Sequence, residues 1–263
     1  MKNKILLSVM SLGLIAAIGC SPTASQLKKT IEANPDVVFA AIEKNPALFF
    51  ETVQKAQRQA QEAGQGDRIA AEVKRVLEEA KSPKEAKIDD ARVIGNVSAP
   101  ITIVEYSDYN CGHCAHAHET VAKLQQKYGD KVRFVFKNFP VLDGRTKTSV
   151  MAAEYAEAAM IQSKDIGYKF HAAVFAGQSQ LMEKGEAFLK EAAKASGADV
   201  AQLQKDRKGA KVKAILKEDM DEAMKLGFEG TPGFLINGAT LPGAYPEDAF
   251  VKIIDALLAQ PQS

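Results

Sequence analysis

The sequence predicts an α/β domain that carries an all-helical insertion and is preceded by a helical arm. Three observations predict it: a strand–helix–strand succession over residues 101–136, a hairpin signal at residue 237 followed by a last helix, and between them a stretch of about 80 residues with helical composition. At 263 residues and 46% hydrophobic content, the chain holds enough apolar material for a core domain plus an extension, which excludes a disordered polymer. Lys and Arg number 34 against 33 Asp and Glu, so there is no strong positive field and no nucleic-acid partner is expected. Three cysteines are too few for a disulfide-dense scaffold.

In chain order, the first segment is an address. Lys2 and Lys4 precede Ile5 to Ile18, an uncharged apolar run of 14 residues that fits a signal peptide over residues 1–19 and falls short of the roughly 20 residues a spanning helix needs. Ala17-Ile18-Gly19-Cys20 resembles the lipobox of bacterial lipoproteins, although Ala17 stands where leucine is usual. The resemblance implies lipidation at Cys20 and an anchor in the membrane of a bacterial envelope, on its periplasmic face. Acyl chains hold a protein there through roughly 0.8 kcal/mol per buried CH₂ without any spanning helix. Losing Lys2 and Lys4 with the leader takes the formal charge from +1 to −1. Residues 20–25 are small and mostly polar and read as a tether.

Residues 26–90 read as a helical arm, with Ile31, Val38, Ile42, Phe49, Val53, Ile69, Val73 and Val76 recurring largely at spacings of three and four. Ile31-Glu32-Ala33-Asn34-Pro35 returns eleven residues later as Ile42-Glu43-Lys44-Asn45-Pro46, and each Asn-Pro reads as a capping side chain ahead of a new helix. Gly64-Gln65-Gly66 predicts a break, and Lys81-Ser82-Pro83-Lys84 a linker. An arm of about 60 residues with apolar faces cannot build a stable core alone. It needs a partner surface, either a second copy, making the chain a homo-oligomer through residues 26–90, or its own following domain.

Residues 91–263 carry the strands. Ile101 to Tyr106 and Val132 to Phe136 read as parallel strands joined by a helix from about Cys111 to Tyr128. Residues 146–226 form the helical insertion, in which the charge run Lys205-Asp206-Arg207-Lys208 reads as solvated surface. Gly233 to Ile236 and Thr240-Leu241 flank Asn237-Gly238, a hairpin turn, and a helix follows from about Pro246 to Leu258. This order is that of a thioredoxin-like fold interrupted by a helical subdomain.

The chemistry concentrates in Cys111-Gly112-His113-Cys114, just past a strand end where a helix begins. Backbone N–H groups there favour a thiolate at Cys111, and a protonated His113 adds positive charge. Cysteines in such settings ionise at about 3.5–7.5. A stabler thiolate leaves more readily, so the disulfide becomes more oxidising. Cys114, most of a turn farther in, is expected to be less exposed and to act as the resolving thiol. With His116 and His118 the motif holds five potential ligands within eight residues, so a copper- or zinc-binding envelope lipoprotein is the alternative reading. Structural zinc draws on two separated ligand pairs, and the one other histidine, His171, is far along the chain, so no metal is assigned.

From about Ala91 to Gln260 the chain resembles the DsbA-like thiol:disulfide oxidoreductases of the bacterial envelope. The resemblance implies an enzyme whose only cofactor is its redox-active Cys111–Cys114 disulfide, acting on unfolded or misoxidised exported proteins and recharged by an unidentified membrane redox partner. It implies that Glu105, on the strand six residues before Cys111, lies beneath the site and moves the Cys114 proton. It also implies that Gly230-Thr231-Pro232 holds a cis proline opposite the cysteines, with Thr231 and Pro232 pairing with an extended substrate. Thr231 in place of valine, and CGHC in place of CPHC, lean toward isomerisation as well as oxidation.

Overall fold

The structure, a computed structural model, describes residues 23–260, so the signal peptide and the lipidation expected at Cys20 lie outside the described residues. The chain divides into two compact units at Gly64/Gln65.

The first unit contains α1 (Ala24–Ala33), α2 (Asp36–Lys44) and the start of α3 (Pro46–Glu79). Helix α1 begins inside the expected tether because Thr23 accepts from the Gln26 N–H while the Gln26 side chain accepts from the Thr23 N–H, a reciprocal cap. Both Asn-Pro steps separate helices as expected, but the asparagines stand at C-caps. Asn34 donates its side-chain amide to the Thr30 carbonyl, and Pro35 occupies the start of α2. With two residues between helices, the carbonyls left open at the end of α1 take the only side chain available. No break occurs at Gly64-Gln65-Gly66; α3 runs through it. Each glycine costs about 1 kcal/mol relative to alanine but keeps its backbone donor and acceptor, and the flanking Gln, Ala and Glu are good helix formers. In this unit Leu27, Ile31, Val37, Val38, Phe39, Leu48, Phe49 and Phe50 are exposed.

The second unit begins within α3. Ile69 and Val76 are buried, and Val73 and Leu77 pack against the same core. Residues 65–79 of the expected arm thus belong to the sheet domain, and Ala86 and Ile88 pack on its other side. The sheet comprises β1 (Ile101–Ser107), β2 (Val132–Asn138), β3 (Gly233–Ile236) and β4 (Ala239–Pro242) in the order β2-β1-β3-β4. β1 and β2 are parallel, as α4 (Gly112–Tyr128) between them requires, and the other pairs are antiparallel. Strand alternation splits the core. Ile101, Ile103, Phe134 and Phe136 face α4 and α12 (Glu247–Leu258), whereas Val104, Tyr106, Val135 and Leu235 meet Ala223, Leu226 and Phe228.

The insertion runs through α5 (Asp143–Thr146), α6 (Ser149–Gln162), α7 (Lys164–Ala176), α8 (Gln178–Lys184), α9 (Glu186–Ala195), α10 (Val200–Asp206) and α11 (Ala210–Lys225). Arg207, expected on solvated surface, is buried: its guanidinium bonds Glu154 and Glu186 and lies 4.9 Å over the Tyr155 ring. Its long apolar stem makes that position reachable, and the flanking Lys208, whose side chain stays largely exposed, bonds the same Glu154 carboxylate at 2.8 Å.

Candidate active site

Cys111 is the N-cap of α4, with extended backbone (φ −85°, ψ 116°) that turns the chain from β1 into the helix. The turn is held tightly. Asp108 accepts from the Cys111 N–H with its carbonyl. Its carboxylate accepts from the Asn110 N–H, the Leu142 N–H and the Ser149 hydroxyl. Asn110 in turn donates to Thr148 and Ser149 at the start of α6.

The two sulfurs are unequal, and position explains it. Cys111 retains 7% of its exposure and Cys114 none. A hydrogen bond from the Cys114 thiol brings the Cys111 thiol down to about 5, against the cost of burial; the Thr231 side chain and the backbone N–H groups of Cys114 and His113 help. Burial pushes the Cys114 thiol well up, and the negative charge of Cys111 and Glu105 adds to it. One thiol therefore ionises readily and the other holds its proton.

Glu105 lies in the middle of β1 between Phe136 of β2 and Phe234 of β3, and is 1% exposed. Burial raises its carboxyl to about 8; Ser107 opposes the shift and the Cys111 charge adds to it. Among the described residues its Oε1 has no hydrogen-bond partner. An acid that is protonated near neutrality, with a free oxygen and within the field of both sulfurs, can give or take a proton there.

Thr231 and Pro232 come to the same place from the far end of the chain. Their peptide bond is cis, and the Cys111 Sγ donates to the Thr231 carbonyl at 3.4 Å. Cys111, Cys114, Glu105, Thr231 and Pro232 thus meet in one place. His113 meets them only through its backbone: its ring is exposed and makes no hydrogen bond among the described residues.

The other histidines do not gather around the sulfurs. His116 bonds back to the Gly112 carbonyl at 2.8 Å, while His118 turns inward. Its Nδ1 is 3.2 Å from Nε2 of His171, whose Nδ1 bonds the Tyr109 hydroxyl at 3.1 Å, within a nest of Phe136 and Phe175. Sequence spacing hides the His118–His171 pair, because α7 brings its histidine from 53 residues away. Tyr109 and Asp108 could have been suspected from their place beside Cys111. Gln178, which also reaches this turn, left no signal.

A family model described as thioredoxin matches residues 87–256. "Probable disulfide bond formation protein D" of Bacillus cereus is 32% identical over 172 residues, covering 62% of this chain and 76% of that protein. A Na(+)/H(+) antiporter NhaA 1 from a Mycobacterium species is 28% identical over 164 residues; that match covers 62% of this chain and only 26% of the antiporter. Among solved structures, a thioredoxin-like oxidoreductase from Silicibacter pomeroyi is 31% identical, with a TM-score of 0.56, over 64% of this chain and 92% of that one.

Proposed function

Because the chain belongs to the DsbA-like family of thioredoxin-fold thiol:disulfide oxidoreductases, we propose that it forms disulfide bonds in exported proteins, isomerises them, or does both, through Cys111 and Cys114. The inequality of the two sulfurs at the start of α4 carries this reading. In the oxidative direction a client thiolate attacks Cys111 of the disulfide, and Cys114 leaves and takes a proton, for which Glu105 is the donor. A second client thiolate then attacks the client sulfur of the mixed disulfide and expels the Cys111 thiolate. The client gains a disulfide and the enzyme ends as a dithiol. In isomerisation the Cys111 thiolate attacks a wrong client disulfide. If rearrangement stalls, Cys114 gives its proton to ionised Glu105 and attacks the Cys111 sulfur of the mixed disulfide; the client leaves as a thiolate, so the client ends reduced and the enzyme ends as the Cys111–Cys114 disulfide. Thr231 and Pro232, beside the Cys111 sulfur, would pair with an extended client through backbone groups, a sequence-tolerant mode.

The wider setting belongs to the same proposal. Cys20 would tie the chain by lipid to the periplasmic face of a bacterial envelope, where clients are exported proteins and a membrane redox partner restores the disulfide. The exposed apolar side chains of α1, α2 and the start of α3 support assembly into a homo-oligomer.

The test is alkylation of the reduced protein against pH, beside oxidation of a reduced client, recovery of a scrambled one and the equilibrium with glutathione. The expected alkylation midpoint is near 5, with Cys111→Ser inactive in both client assays. A midpoint near the free-thiol value of about 8.5 would overturn the reading. The equilibrium with glutathione then separates oxidase from isomerase.

A further inference from the structure

The turn that presents Cys111 is held from one side by its own Asp108 and from the other by a side chain of the insertion. Gln178, the first residue of α8, donates its side-chain amide twice, to the Tyr109 carbonyl at 2.8 Å and to the Cys111 carbonyl at 2.9 Å. These two carbonyls bracket the peptide units that set the direction of the Cys111 side chain. The Cys111 carbonyl is also the first acceptor of α4, taking the N–H groups of Cys114 and Ala115. Whatever fixes that carbonyl fixes the first helical turn, whose N–H groups at His113 and Cys114 point at the Cys111 sulfur.

Gln178 is itself held in place. Gly177 before it caps α8, and a Cβ added at Gly177 would lie 2.3 Å from the Phe188 ring. Only glycine lets α8 start this close to α9, so packing within the insertion sets where the amide points.

We propose that Gln178 is a positioning residue for thiol–disulfide exchange, its amide clamping the Tyr109 and Cys111 carbonyls so that the first turn of α4 stays aimed at the Cys111 sulfur. This rests on the thiol–disulfide reading above and extends it: the helical insertion sets the reactivity of a sulfur that it does not contain. Loss of the amide leaves two carbonyls without these donors and loosens the turn. The thiolate is then less well supported, and so is the reduced form of the pair.

Two variants and one wild-type measurement test it. Gln178→Met keeps the length of the side chain and removes the donors. Gln178→Glu keeps the shape and, once ionised, offers only acceptors to two carbonyls. The alkylation midpoint of reduced Cys111 is expected to move up by about one pH unit in the first and further in the second, the scale of one hydrogen bond to a charged group. The equilibrium with glutathione should move about tenfold toward the disulfide form, while the oxidised variants melt close to the wild type. An unchanged midpoint and equilibrium in both variants would overturn the proposal. In the wild-type protein the Gln178 side-chain amide protons are expected to exchange slowly by NMR, and exchange at the rate of a free glutamine would equally sink it. Wild-type alkylation in the same series reports on the thiol–disulfide reading itself, so the two failures are distinguishable.

Discussion

At the scale of single residues, Glu105 has the sharpest consequences. Its neighbours in the sheet are Phe136 and Phe234, and among the described residues no basic side chain pairs with it, so burial dominates its titration. In the unfolded chain the carboxyl loses its proton above about 4.5, whereas the folded protein keeps it until about 8. The folded state therefore binds more protons across that window, and the contribution to stability falls as pH rises through it. Glu105→Gln removes this slope. Melting of the oxidised protein, in which Cys111 and Cys114 do not titrate, should be flatter between pH 4.5 and 8 in the variant than in the parent. The same change should slow release of a trapped mixed disulfide by about 10²-fold, since proton transfer to or from a placed side chain is worth at least that much. Parallel melting curves together with an unaltered release rate would show that Glu105 does neither. Cys111, Cys114 and Glu105 were legible in the sequence because they lie within ten residues on one strand–helix junction. Their inequality in reactivity was legible only in direction.

At the scale of elements, the hairpin between β3 and β4 shows how little sequence is needed when turn chemistry is strict. Asn237 (φ 45°) and Gly238 (φ 83°) both take left-handed backbone, the requirement of a two-residue turn that matches strand twist. Asn237 does more than turn the chain: its side chain accepts from the Thr102 N–H and donates to the Pro100 carbonyl, fixing β3 beside the start of β1. Gly238 is bound by a second constraint that the sequence does not display. The linker after α3 crosses the turn, with the Lys84 N–H on the Gly238 carbonyl, and a Cβ here would lie 2.4 Å from Pro83 and 2.8 Å from the Lys84 carbonyl oxygen. Gly238→Ala is therefore expected to destabilise by roughly 1–3 kcal/mol, from strained φ and overpacking together, read as a fall in Tm or in urea midpoint. A variant as stable as the parent would mean that the linker is not seated on the turn.

At the scale of the whole molecule, the insertion and the sheet are tied by buried charge as well as by apolar contact. Arg92 bonds Glu157 of α6 and lies 3.6 Å from Asp219 of α11; Lys137 of β2 bonds Glu222 of α11, which also receives the Tyr106 hydroxyl. Each charge there has an opposite neighbour, the condition under which burial of ions is tolerated. The first unit presents the contrary picture, with Phe39, Leu48, Phe49 and Phe50 exposed. Sedimentation of the purified protein is expected to give an oligomer. Phe39→Asp with Phe50→Asp should weaken it by about a hundredfold per phenylalanine, at roughly 3 kcal/mol for each buried ring lost. A monomer with the native side chains would reject assembly through this segment. Of the arm read from the sequence, only the part before Gly64 is left to such a role. Helical periodicity reports that a face is apolar, but whether Ile69 and Val76 meet the chain's own sheet or another surface depends on where the sheet lies.

The sequence by itself determined the order of strands and helices, the parallel pairing of β1 and β2, the hairpin turn and the reacting pair of cysteines. Each of these follows from local periodicity, turn chemistry or spacing within a few residues. Only the tertiary structure decided that the Thr231 carbonyl takes the Cys111 thiol, that Gln178 bonds the Cys111 turn from the insertion, that His118 pairs with His171 and that the second half of α3 joins the sheet domain. Those contacts join residues 53 or more positions apart, or depend on which surface covers an apolar face. Local pattern carries no information about such distances; close packing of the folded chain sets them.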